Sequence, residues 1–126
     1  MNSKGLAVIV LAAGKGTRMK SSLAKVLQPL KNKPLLYYVL KSLAPLNPDL
    51  SILVVGFQSK VVKESFSDRG LIFVEQKEQL GTGHAAQQAK LALLDFSGDV
   101  LVVCGDMPLI KSQTLIDLIG RHREKK

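Results

Sequence analysis

Leu6-Ala7-Val8-Ile9-Val10-Leu11-Ala12-Ala13-Gly14-Lys15-Gly16-Thr17-Arg18-Met19 is an apolar run that empties directly into a glycine-rich, basic loop. The run from Leu6 to Leu11 reads as a buried strand. Glycines at its end let the backbone approach an anion closely, and exposed N–H groups with Lys15 and Arg18 complement the charge. The spacing is not that of a Walker A loop, because Thr17-Arg18 follows Gly16 where Lys-Ser/Thr is required, nor is it a full Gly-x-Gly-x-x-Gly. A phosphate-holding loop and an ordinary strand-to-helix turn both fit this stretch taken alone.

Working outward, four apolar, β-branched runs recur, and they predict strands over residues 5–11, 50–55, 71–75 and 100–104. Helices are expected over residues 34–44, 60–66 and 82–94, and a last one over 112–123 with Ser112 as its N-cap. Pro34 suits a first helical turn, where its missing N–H has no partner to lose, and Pro45 and Pro48 end that segment. Strand alternating with helix predicts an α/β fold: a Rossmann-like, mainly parallel sheet with helices on both faces and strands apolar on both sides. In such sheets ligands sit beyond the carboxyl ends of the strands. Three segments follow strand ends here and should converge: the glycine loop, residues 76–83, and Gly105-Asp106. No internal repeat or second domain is visible.

The 126 residues suit one domain with one core. No apolar stretch approaches the ~18 residues that span a bilayer, and the apolar run near the N-terminus is too short for a signal sequence. The single cysteine, Cys104, has no internal disulfide partner and reads as a small core residue at a strand end. A cytoplasmic location is expected. The net charge of +8 is unevenly placed: residues 1–48 hold eight Lys and Arg and no acid, whereas the remainder holds ten of each sign. The excess therefore surrounds the glycine loop and would attract nucleoside triphosphates or nucleic acid. An aromatic content of 5% without Trp argues against base stacking on nucleic acid. The terminal Arg121-His122-Arg123-Glu124-Lys125-Lys126 reads as a frayed helix end.

At the second convergent segment, Gln76 offers a donor and an acceptor side by side, which suits a pyrimidine edge. Gly81-Thr82-Gly83-His84 reads equally well as a plain helix start, and His84 alone reads as structural. At the third, Asp106 stands after a buried strand and a glycine, where it could hold Mg²⁺ beside phosphate oxygens or simply form a turn before Pro108.

Leu11 to Met19, Lys25-Val26-Leu27, Gln79-Leu80-Gly81-Thr82-Gly83-His84-Ala85 and Gly105-Asp106-Met107-Pro108-Leu109-Ile110 occur in the order and spacing of a known family. Together they resemble the sugar-phosphate nucleotidyltransferases, and among them the bacterial N-acetylglucosamine-1-phosphate uridylyltransferases. The resemblance covers nearly the whole chain, and the segment from Gln79 to Ala85 is its most specific part. It implies an Mg²⁺-dependent enzyme that joins UTP and N-acetylglucosamine 1-phosphate into UDP-N-acetylglucosamine and pyrophosphate. It places Leu11, Ala12, Ala13 and Gly14, the Gln76 side chain, Gly81 and Thr82 around the uracil. It places Gly16 and the catalytic Arg18 and Lys25 along the triphosphate, and makes Asp106 a metal ligand.

Two departures stand out. Ala24 replaces the family's usual Pro before the Lys, and the family's domain is considerably longer. The expectation is therefore a truncated domain: the nucleotide-binding half, without the acceptor-sugar half or the acetyltransferase domain of bifunctional members, and impaired in turnover. An open sheet edge would invite self-association. A non-catalytic nucleotide-binding or interaction module, and a related nucleotidyltransferase with another acceptor, are the competing readings.

Overall fold

The computed structural model describes residues 5–13, 25–56, 59–67, 69–76 and 82–125. Its centre is a parallel sheet built from β1 (Gly5–Ala12), β4 (Leu50–Val55), β5 (Ile72–Glu75) and β6 (Gly98–Cys104). Among the described residues the strand order is β5-β4-β1-β6. The register runs Ala7↔Leu50 to Ala12↔Val55 on one side of β1 and Gly5↔Gly98 to Leu11↔Cys104 on the other. A separate short hairpin pairs β2 (Pro29–Leu30) with β3 (Lys33–Pro34). Lys31 and Asn32, at φ 51° and 69°, make its two-residue turn, the left-handed geometry that matches the twist of a tight hairpin.

Helices α1 (Leu35–Leu43), α2 (Ser59–Ser65) and α4 (Ser112–Glu124) share one face of the sheet, and α3 (Thr82–Gln87) lies on the other. Leu6, Val8, Val10 and Ala12 of β1 pack with Leu36, Val39 and Leu43 of α1, Val62 of α2 and Leu115 of α4. Ile9 and Ala13 pack with Ile52, Val54, Ala85 and Ala89 on the opposite side. This division follows from right-handed crossovers: the chain winds one way from β1 to β5, then reverses to place β6 beyond β1. No helix among the described residues is long and apolar enough to cross a membrane.

The predicted strands are all present, each within two residues of its expected bounds. Four local expectations need correction. The N-cap of α4 is Lys111, without a side-chain cap bond, because the Ser112 hydroxyl instead donates to the backbone oxygen of Ser42 at 2.6 Å and ties α4 to α1. The helix expected over residues 82–94 ends at Gln87, and a 3₁₀ turn at Lys90–Leu93 follows. Only one side of β6 is buried: Val100 and Val102 are 45% and 44% exposed, because the short α3 does not reach across this edge strand. The basic C-terminal run is anchored rather than frayed, since Arg123 Nε and His122 Nε2 both reach the buried Asp99 carboxylate at the start of β6.

Candidate nucleotide site

The reversal of winding places a topological switch between β1 and β6, and the crevice outside the carboxyl ends of these strands is where sheets of this kind bind ligands. Leu11, Ala12 and Ala13 end β1 there, with both alanines buried. The Gly105 N–H donates to the Leu11 carbonyl oxygen at 2.9 Å, which carries the pairing of β6 with β1 one residue past the strand. On the other side, the Gln76 N–H donates to the Val55 carbonyl oxygen at 2.7 Å and holds the end of β5 to β4. Leu11 to Ala13, Gln76 and Gly105-Asp106 thus lie at the carboxyl ends of their strands, as expected, while the glycine loop itself lies outside the described residues.

Lys25 opens a 3₁₀ turn (Lys25–Leu27) whose Val26 is buried in the core. A Cβ at Gly105 would lie 3.1 Å from both the Leu11 oxygen and Val26 Cγ1, and 3.3 Å from Leu36 Cδ1. Glycine is therefore what lets this turn close over the strand end. The closure brings Lys25 Nζ to 2.8 Å from Asp106 Oδ2. Both side chains keep solvent access, 47% and 24%, so the pair stands at the rim of the crevice rather than in the core.

Gln76 is 3% exposed. Its side-chain amide lies 2.9 Å from His84 Nδ1, and the Gln88 amide lies 3.3 Å from His84 Nε2. No sequence expectation joined these three residues. The signal was a His and a Gln four residues apart, a spacing that puts both on one helical face. Of the other expected site residues, Gly14, Gly16, Arg18 and Gly81 lie outside the described residues, and Thr82 is described only as the first residue of α3. The expectation of a phosphate-holding glycine loop therefore also lies outside them.

Residues 8–126 match the family described as the MobA-like NTP transferase domain. The chain belongs to this family. It is 50% identical over 118 residues to the bifunctional protein GlmU of Desulfotalea psychrophila, a match covering 94% of this chain and 35% of that protein. It is 52% identical over 119 residues to GlmU of Synechococcus elongatus, covering 94% and 26%. The chain thus spans about a third or less of the relatives it matches. In fold it is similar to Rv0371c from Mycobacterium tuberculosis H37Rv (TM-score 0.80, 22% identity, 95% of this chain and 61% of that one). It is also similar to a nucleotidyl transferase from Methanothermobacter thermautotroptrophicus (TM-score 0.76, 22% identity, 94% and 58%). A further structure of the mycobacterial protein is a complex with manganese.

Membership of an NTP transferase family raises the question of a metal. Among the described residues no three His, Cys, Asp or Glu side chains cluster to form a self-sufficient metal cage. Mg²⁺ does not need one: it commonly takes one or two carboxylates and completes its shell with phosphate oxygens and water. A single partly exposed carboxylate at the switch point, Asp106, fits that donor set.

Proposed function

We propose that this chain carries the nucleotide side of an Mg²⁺-dependent nucleotidyltransferase joining UTP and N-acetylglucosamine 1-phosphate to give UDP-N-acetylglucosamine and pyrophosphate. The observation that carries the reading is the Lys25–Asp106 pair at the β1/β6 switch point, in a chain half-identical to GlmU proteins. Residues 1–126 form the nucleotide-binding part of that domain. The acceptor contacts belong to the stretch of the relatives that lies beyond the match.

The chemistry asks little of the protein in proton transfer. A sugar-phosphate oxygen is already an anionic nucleophile. It attacks the α-phosphorus of UTP, the bond to the bridging oxygen breaks, and pyrophosphate leaves with that electron pair. Catalysis is then positioning plus stabilisation of anionic charge. Asp106 would hold Mg²⁺, which supplies neutralisation of phosphate charge. Lys25, with Arg18, supplies protein cations along the triphosphate. In the free chain Lys25 and Asp106 neutralise each other. A partly exposed pair of this kind is worth only about 0.2–1 kcal/mol, so exchanging carboxylate for phosphate as the partner of Lys25 costs little. Backbone groups of Leu11, Ala12, Ala13 and Gly14, with the Gln76 side chain, Gly81 and Thr82, hold the uracil. Gly16 would contact the triphosphate, as the resemblance implies.

Titration of UTP with Mg²⁺ by calorimetry, repeated with ATP and with Asp106→Ala, tests this. UTP-selective, Mg²⁺-dependent binding that weakens in the variant is the expected result. Absence of binding overturns the reading and leaves a non-catalytic interaction module. Turnover by the 126-residue chain alone should be small, and robust UDP-N-acetylglucosamine synthesis by it would refute the assignment of acceptor contacts to other sequence.

A further inference from the structure

Lys25 and Asp106 are each other's counter-ion, so a ligand that engages one acts on both. Lys25 Nζ lies 2.8 Å from Asp106 Oδ2, and both side chains keep solvent access. The backbone that carries them is fixed: Val26, beside Lys25, is buried, and the Gly105 N–H donates to the Leu11 carbonyl oxygen at 2.9 Å. An anion that reaches Lys25 therefore also faces Asp106.

A nucleoside triphosphate arrives either bare or carrying a divalent cation. A bare triphosphate meets a neutral pair while Lys25 stays on Asp106. It gains nothing from that lysine. Drawing Lys25 onto a phosphate oxygen costs little in itself, but it uncovers a carboxylate beside a polyanion, and like charges about 4 Å apart oppose each other strongly near a protein surface. Either way the attraction of Lys25 is cancelled. A triphosphate that brings its own cation escapes this. The carboxylate exchanges the ammonium for the metal, Lys25 turns to a phosphate, and no charge is left uncovered. Residues 1–48 hold eight Lys and Arg and no acid, so without such a check this part of the chain attracts polyanions without regard to metal.

We infer that the Lys25–Asp106 pair makes the site discriminate against metal-free triphosphate, with Asp106 as the specificity-determining residue that keeps Lys25 from the bare polyanion. The inference rests on the reading of this crevice as a nucleotide site. It differs in sign from plain metal ligation. A carboxylate that only holds Mg²⁺ has no effect on metal-free nucleotide, whereas one that also cancels Lys25 weakens its binding.

The test is titration of UTP by calorimetry into the wild-type chain, Asp106→Asn, Lys25→Met and the double variant, once with Mg²⁺ and once with excess chelator at low ionic strength, where charge effects are largest. Without metal, Asp106→Asn is expected to bind UTP about tenfold more tightly than the wild type, the effect of one unit charge beside the phosphates. With Mg²⁺ the same variant binds more weakly than the wild type. Misfolding does not produce a gain of affinity, so the metal-free arm reads the charge itself. Lys25→Met should weaken metal-free binding about tenfold, and the double variant, neutral again at this point, should return to the wild-type value. Metal-free affinity that Asp106→Asn does not raise, in a wild type that binds UTP with Mg²⁺, overturns the inference and leaves the nucleotide site standing. A double variant that binds metal-free UTP as tightly as Asp106→Asn also overturns it, because Lys25 then takes no part. A wild type that binds no UTP even with Mg²⁺ overturns the nucleotide site and the inference with it.

Discussion

Lys25 and Asp106 come from distant parts of the chain and meet because Gly105 leaves room for the 3₁₀ turn to settle on the end of β1. The ion pair itself is a poor source of stability, being partly exposed. Asp106→Asn should therefore lower the unfolding free energy by less than about 1 kcal/mol, yet lower Mg²⁺-dependent UTP affinity at least tenfold. Calorimetry beside a urea melt separates the two effects, and an equal loss of stability would instead make Asp106 a structural residue. Asp99 is the opposite case. Its carboxylate is 3% exposed and its partners include Arg123 and His122. Arg123→Ala removes a half-exposed cation from a buried anion and should cost about 1–3 kcal/mol in urea denaturation, the range for a hydrogen bond to a charged group. A change below about 1 kcal/mol would place the Asp99 charge in a better-solvated setting than its burial implies. Nucleotide binding should survive, since Asp99 opens β6 and the switch point lies at its other end.

Among the elements, β1 and β6 start from a pair of glycines in register, Gly5 and Gly98. A Cβ on Gly98 would fall 2.4 Å from the Gly5 carbonyl oxygen, a backbone atom with no freedom to swing aside. Gly98→Ala is expected to destabilise by about 2–3 kcal/mol, as overpacking does when nothing flexible gives way, and a thermal melt unchanged within error would disprove the close approach. Strands β1 and β4 were legible because buried parallel strands are β-branched runs bounded by Gly and Pro, and the less buried β5 and β6 carry β-branched residues beside Gly70 and Gly98. The hairpin Pro29–Leu30 with Lys33–Pro34 was not, because two-residue strands carry no periodicity and the left-handed pair Lys31-Asn32 is not the usual Asn-Gly. Ser112 illustrates the tertiary override: by residue type it is an N-cap, but packing against α1 offered its hydroxyl the Ser42 carbonyl instead. At the candidate site, Gln76 and Asp106 could be found from their places after strands. The contact of His84 with Gln88 follows from their four-residue spacing, but its contact with Gln76 could not be read from sequence, because it depends on where β5 ends beside α3.

On the scale of the whole molecule, two features oppose each other. Among the described residues the sheet leaves β6 at an edge, with Val100 and Val102 half-exposed on one side. An edge strand with outward apolar positions is a template for pairing. The chain spans 35% or less of the length of the first two relatives matched. In a solution of this chain alone, the partner available is a second copy. Against that stands the net charge of +8, which makes two copies repel. The balance should therefore depend on salt: self-association weak at low ionic strength and stronger as the Debye length falls from about 30 Å at 0.01 M to about 8 Å at 0.15 M. Sedimentation velocity across a concentration series at both salt levels measures this. Val102→Lys puts a charge on the edge without touching the buried core and should return the chain to monomer at either salt level, with its melting temperature unchanged. A wild type that stays monomeric at every concentration removes the edge as an interface. A Val102→Lys variant that associates as the wild type does moves the contact elsewhere on the surface.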